Sequence, residues 1–243
     1  MTEIQSHEEL RSSLDHCVKC TICETVCPVS AVTPLFPGPK YAGPQAERFR
    51  AHGQPPEESS VDYCSGCGLC TMSCPQGVKI AELNAHARYA VKQHKGVPLR
   101  DRLITRPTVL GRLGTPVAPL ANAILRFRPA RVLGERLLGV HRDAPVPKFA
   151  GRTFRSWARR HQGPSRGTKV VYFHGCGTQY YEPDVGEKVV AVLEHNGYRV
   201  EIPKQDCCGL PLQSSGLFED ARKYVLRLAR VLAPHAREGT LIV

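Results

Sequence analysis

Apolar and polar positions follow three different patterns along this chain, and each predicts a different kind of structure. Over residues 1–98 the apolar residues recur in short helical stretches broken by Pro and Gly. Ser6-His7-Glu8-Glu9 has the form of a capping box and predicts a helix running to about Asp15. Ala81 to His94 lacks Gly and Pro, is rich in helix formers and predicts a second helix. Between them, the prolines and glycines of PLFPGPKYAGPQ (residues 34–45) argue against regular structure. A short helix over about 45–52 is predicted to follow, and no strand pattern is present in this part.

Over residues 99–166 apolar residues are interspersed among arginines. Ala121 to Leu138 predicts an amphipathic helix interrupted near Pro129, and Pro145 and Pro147 open a linker. From residue 167 the pattern becomes that of an α/β domain. Lys169 to Phe173 reads as a buried strand and Tyr198 to Ile202 as a second, with Thr240 to Val243 beginning a third. Asp184 to Asn196, with Gly197 as C-cap, and Phe218 to Leu232 read as the helices between them. This βαβαβ order predicts a parallel sheet. The chain is thus expected to be α+β and multi-domain: a helical region 1–98, a basic amphipathic linker 99–166 and a partial α/β domain 167–243. Because the third strand is cut short, the expectation is that the sequence is C-terminally truncated.

Charge changes the picture in one place. The net charge is +11, and residues 100–166 alone hold 15 Lys or Arg against 3 Asp or Glu, so almost the whole imbalance lies in the linker. Its longest charge-free run, Leu113 to Leu125, is thirteen residues with two prolines, whereas a spanning helix needs roughly 20 apolar residues. The segment is therefore not a transmembrane span. Arginines interleaved with Leu, Val and Ile suit an anionic lipid surface or an acidic partner, with a solvated face as the bland alternative and nucleic acid ranked last. The N-terminus has no apolar run of a secretory signal, which points to the cytoplasm and to reduced thiols.

The thiols carry the chemistry. Of eleven cysteines, eight fall in two copies of one motif: Cys17-x2-Cys20-x2-Cys23-x3-Cys27-Pro28 and Cys64-x2-Cys67-x2-Cys70-x3-Cys74-Pro75. This C-x2-C-x2-C-x3-C-P run is that of two-cluster bacterial ferredoxins, in which three thiolates of one run hold one cubane and the fourth ligates the other. The expected ligand sets are Cys17, Cys20, Cys23 and Cys74 for one [4Fe–4S] cluster, and Cys64, Cys67, Cys70 and Cys27 for the other. Structural zinc is the competing reading, but it favours paired C-x2-C units from separate loops over an unbroken x2 register. Ser65, Gly66 and Gly68 leave the second loop's amides open to N–H···S bonds, while Lys19 in the first could offset cluster charge. Three cysteines are left over. Cys176 and the Cys207-Cys208-Gly209 triplet each follow a predicted strand, which places them together at the carboxyl edge of a parallel sheet as a possible additional cluster site. Ordinary buried cysteines are the alternative. No residue is read as catalytic, and no G-x-G-x-x-G follows a strand.

Several further motifs accompany the cysteines: Cys27-Pro-Val-Ser30, Pro37-Gly-Pro-Lys40-x-Ala-Gly-Pro44, Gly114-Thr-Pro-Val-Ala-Pro119, Thr153-Phe154-Arg155 and Phe173-His-Gly-Cys176. Together they resemble the iron–sulfur subunits of anaerobic glycerol-3-phosphate dehydrogenases. The leftover cysteines resemble the "CCG" domain of heterodisulfide reductase and glycolate oxidase iron–sulfur subunits. The resemblance implies an α-helical ferredoxin domain followed by an incomplete CCG domain. It also implies an electron relay from flavin-containing dehydrogenase subunits to membrane quinone, attached peripherally at the cytoplasmic face. Glycolate or lactate oxidase and heterodisulfide reductase-type subunits are the alternative functions, and a zinc protein binding nucleic acid is a distant one.

Overall fold

The computed structural model describes residues 7–50, 59–205 and 207–243. Ser6 of the expected capping box, and the end of the helix expected over 45–52, lie outside them. The described residues divide into two compact units. One comprises those up to residue 97 and 211–218, the other those from 98 to 210 and 219–243.

The first unit repeats one arrangement twice. Helix α1 (His7–Ser12) runs into a 3₁₀ turn, Ser13–His16, that delivers Cys17 with its N–H donating to Leu14 O at 3.0 Å. A second 3₁₀ turn, Ser60–Tyr63, delivers Cys64 in the same way, its N–H donating to Val61 O at 3.1 Å. After each x2-spaced run comes a single helical turn, α2 (Ile22–Thr25) or α4 (Leu69–Met72), between the third and fourth cysteines of its motif. The stretch expected to be irregular holds a π-helical turn, Tyr41–Gln45, that continues into α3 (Ala46–Phe49). This corrects the expectation. Pro44 lies inside this turn, where it removes one N–H from the ladder, and Ala42, Gly43 and Pro44 are buried.

Helix α5 (Ile80–Lys95) closes the unit. Its Ile80, Leu83, Ala87 and Val91 are buried at 3–4 residue spacing. Ile80 and Leu83 join Leu10, Leu14, Val78 and the sulfur-bearing Cys23 and Cys70 in the main core, while Ala87 and Val91 pack with Val61. The same helix buries a polar row four residues apart, Asn84, Arg88 and Lys92.

In the second unit a run of short helices precedes the sheet: α6 (Leu99–Ile104), α7 (Pro107–Gly114), α8 (Ala118–Arg126) and α9 (Arg128–Leu138). The expected break near Pro129 falls at extended Phe127, after which Pro129 sits in the first turn of α9. Helix α10 (Phe154–Ala158) is capped by Thr153, whose Oγ1 accepts from Ser156 N at 3.1 Å. Strands β1 (Thr168–Val171), β2 (Tyr198–Glu201) and β3 (Leu241–Ile242) pair in parallel in the order β2-β1-β3. Helices α11 (Gly175–Tyr180) and α12 (Pro183–His195) link the first two strands. Between the second and third strands the chain runs through helix α13 (Leu210–Ser214), most of which belongs to the first unit, and α14 (Phe218–Arg237). Val170, Val171 and Val190 are fully buried, and Phe154 packs with Tyr172 and Val190 in this unit's core. The mixed helical and parallel-strand class expected from the sequence holds.

Candidate iron–sulfur centres

The eight motif cysteines surround two hollows. One is lined by Cys17, Cys20, Cys23 and Cys74 together with Lys19, Lys40 and Ile80. The other is lined by Cys64, Cys67, Cys70 and Cys27, with Phe36 and Leu69 among its apolar walls. Each hollow takes three thiols from one motif and the fourth from the other. No three His, Cys, Asp or Glu side chains among the described residues converge closely enough to hold one metal ion. Sulfurs set around a cavity suit a cluster, in which each thiolate binds its own iron.

The backbone explains how the thiols come to face inward. In the second loop Gly66 and Gly68 have φ of +68° and +81°, and in the first loop Lys19 and Thr21 occupy the same two places with φ of +60° and +69°. Left-handed residues on either side of the middle cysteine curl each loop around its hollow. For a β-branched threonine this conformation is a genuine outlier, which persists only where the surroundings impose it. Burial pushes the Cys23 thiol up to about 11, with Glu24 adding to the shift, and the Cys70 thiol up to about 12, with Cys64 adding to it. Buried thiols of this kind become thiolates only beside a strong positive charge, which iron supplies. The donor set and the curled loops fit a [4Fe–4S] cluster in each hollow.

The second set is the more heavily furnished. Ser30 N donates to Cys27 Sγ at 3.5 Å, and Asn84 Nδ2 to Cys64 Sγ at 3.8 Å. Arg88, only 6% exposed, donates through Nη2 to Val61 O at 2.9 Å, to Asp62 O at 3.1 Å and to Cys64 O at shorter range. Sequence reasoning passed over Asn84 and Arg88. The signal that reveals them is a polar row, i, i+4, i+8, on the apolar side of a predicted helix.

Residues 13–78 match the 4Fe-4S dicluster domain family and residues 170–239 the cysteine-rich domain family. The likeness to anaerobic glycerol-3-phosphate dehydrogenase is also borne out: the chain is 37% identical over 220 residues to a subunit of that enzyme from Escherichia coli K12. That alignment takes in 88% of this chain and 55% of the relative, so the chain spans little more than half the relative's length. Shorter likenesses reach a subunit of fumarate reductase (CoM/CoB) from Methanothermobacter marburgensis, 35% identical over 71 residues, and lactate utilization protein A of Bacillus subtilis, 38% over 61 residues. They cover 29% and 25% of this chain, and 14% and 26% of those proteins. No solved structure matches the chain.

Beyond the carboxyl ends of β1 and β2 the thiols of Cys176 and Cys207 meet, and Cys208 follows directly in the chain. Cys176 lies in the first turn of α11, and Cys207 and Cys208 follow β2. Cys207 Sγ donates to Cys176 Sγ at 3.6 Å and accepts from Gly209 N at 3.4 Å. That hydrogen bond holds the Cys176 thiol below its ordinary range against the opposing effect of burial. Gln205 ties the two strand ends together, accepting from His174 N at 3.1 Å and donating to Tyr172 O at 2.8 Å. His174 is buried; its Nδ1 donates to Gly175 O at 2.8 Å, and its Nε2 has no hydrogen-bond partner.

The arginine-rich helices carry a different surface. Leu113, Val117, Leu120, Ile124 and Phe127 recur at 3–4 residue intervals and are 49–70% exposed. Arg112, Arg126, Arg128 and Arg136 are exposed on the same helices. Arg131, by contrast, turns inward to Arg142 O and Ala144 O. Among the described residues no helix is long and apolar enough to cross a membrane.

Proposed function

We propose that this chain is an iron–sulfur electron-transfer subunit. It holds one [4Fe–4S] cluster on Cys17, Cys20, Cys23 and Cys74 and a second on Cys64, Cys67, Cys70 and Cys27. The observation that carries this reading is the composition of the two hollows, each drawing its fourth thiol from the opposite motif. When bound, the clusters supply one-electron chemistry. The chain's part is to bind them through eight thiolates, keep them in one unit through the crossed ligands, and wall each with apolar side chains that limit water.

The electron donor in this reading is a flavin-containing dehydrogenase partner of the anaerobic glycerol-3-phosphate type, and the acceptor is membrane quinone. The chain itself oxidises no substrate. Attachment is peripheral, at the cytoplasmic face of the membrane. It is supported by the exposed apolar stripe from Leu113 to Phe127, flanked by arginines that attract anionic lipid. Cys176, Cys207 and Cys208 supply three thiolates to a possible further cluster site, which needs an additional ligand to be complete.

Iron analysis and EPR of the anaerobically purified chain test the cluster assignment. About eight irons per chain are expected. Replacing Cys74 by Ser should abolish the signal of the cluster on the first motif and spare the other. Loss confined to the second motif's cluster would refute the crossed ligands. Attachment is tested by sedimentation with anionic vesicles. At about 1 kcal/mol per basic residue near the surface, reversing Arg126, Arg128 and Arg136 to Glu should weaken binding at least a hundredfold. Unchanged partitioning removes the membrane from this reading and leaves the clusters in place.

A further inference from the structure

Helix α5 presents three buried polar residues to one face, and two of them address a single cysteine. Asn84, 1% exposed, donates Nδ2–H to Cys64 Sγ at 3.8 Å. Arg88, one turn later, places its guanidinium on the carbonyl of the same residue and on those of Val61 and Asp62. Its other nitrogen, Nη1, donates to Ser214 O, and Lys92 Nζ donates to Ser215 O at 2.5 Å. These carbonyls are the acceptors that the end of α13 leaves without helical partners. Residues 211–218 are thereby fixed within the first unit, with Ser214 against Gly66 of the second cysteine loop.

A buried guanidinium is a fixed positive charge in a medium of low dielectric, and it is neutralised only in part. Asp62 Oδ1 lies 3.7 Å from Arg88 Nε, but that carboxylate is 36% exposed and shares its field with water. The first hollow also has a lysine on its wall, Lys40, but Glu24 lies 3.4 Å from its Nζ and pairs with it. Glu24 also acts on Cys23. Lys19, the other cation of the first loop, is exposed. A positive charge and N–H···S bonds both favour the reduced, more negative form of an iron–sulfur cluster.

We infer that Asn84 and Arg88 are positioning residues that raise the reduction potential of the cluster on Cys64, Cys67, Cys70 and Cys27, making it the electron-accepting member of the pair. The inference rests on the two-cluster reading above. In the step it governs, the first cluster gives up one electron and the second gains it, and no bond is made or broken. The electron enters from the flavin-bearing partner of that reading.

The test is a redox titration of the full iron-loaded chain followed by EPR. The signal of the second cluster is identified as the one lost on Cys67→Ser. In the wild-type chain this signal should be reduced first. Arg88→Gln keeps donors for the carbonyls but removes the charge. It should lower the second cluster's potential by at least a tenfold change in the one-electron equilibrium, about 59 mV, without moving the first. Arg88→Lys should restore most of the shift, which a purely structural role would not produce. Should Arg88→Gln lose its cluster, Asn84→Ala decides, since it removes the N–H···S bond while leaving the Arg88 charge in place and should lower the same potential. If the second cluster is reduced last, or if the variants leave both potentials unmoved or move them equally, the tuning role is overturned while the clusters stand. A chain without cluster signals would instead overturn the two-cluster reading itself.

Discussion

The two cysteine loops have one backbone and two sequences. Cys64-Ser-Gly-Cys-Gly-Leu-Cys70 places glycine at both left-handed positions, whereas Cys17-Val-Lys-Cys-Thr-Ile-Cys23 makes the same turns with Lys19 and Thr21. A non-glycine residue in that conformation costs roughly 1–2 kcal/mol, so the first loop holds strain that the second avoids. The requirement to aim three thiols at one hollow sets the backbone, and residue preference yields to it. The second loop has its own constraint. A Cβ added to Gly66 would lie 2.8 Å from Ser214 Cβ, whereas one added to Gly68 meets nothing within 4 Å.

The comparison can be broken most forcefully at Gly66. Gly66→Ala meets both the left-handed penalty and the Ser214 side chain, and should destabilise the iron-loaded chain by about 2–3 kcal/mol. Anaerobic thermal unfolding, together with the rate of iron loss to a chelator, would measure it. Gly68→Ala meets only the conformational penalty, offset in part by the lower entropy of the unfolded chain, and should cost about 1 kcal/mol or less. Equal costs at the two glycines would show that Ser214 does not press on the loop. The smallest effect has the opposite sign. Thr21→Gly relieves about 1–2 kcal/mol of strain and adds about 0.5–1 kcal/mol of unfolded-state entropy. A net gain of about 0.5–1 kcal/mol in the same unfolding assay is expected, and a loss would mean that the threonine side chain makes contacts worth more than the strain.

Much of this was legible from residues alone. The cysteine spacing predicts which thiols share a hollow because the ligand, not the surrounding fold, dictates that pattern. The parallel strands and the break at Phe127 follow from short-range signals, apolar runs and Pro129. The strained loop was legible in principle, since aligning the two motifs sets Lys19 against Gly66 and Thr21 against Gly68, but no glycine marks the turn. The π-helical turn at Tyr41–Gln45 hides in a Pro- and Gly-rich stretch whose local signals say the opposite. Least legible is the packing of residues 211–218 in the first unit. It depends on Arg88 and Ser214, 126 residues apart, and no pattern of local periodicity encodes such a pairing.

That separation has a consequence for how the molecule is made. At about 5–20 residues per second of synthesis, Ser214 follows Arg88 out of the ribosome by roughly 6–25 s. In that interval the second cysteine loop exists without the segment that presses on Gly66, and Arg88 and Lys92 lack the carbonyls of Ser214 and Ser215. The nascent first unit is therefore an open receptacle before it is a closed one, and the chain's own later residues supply the lid.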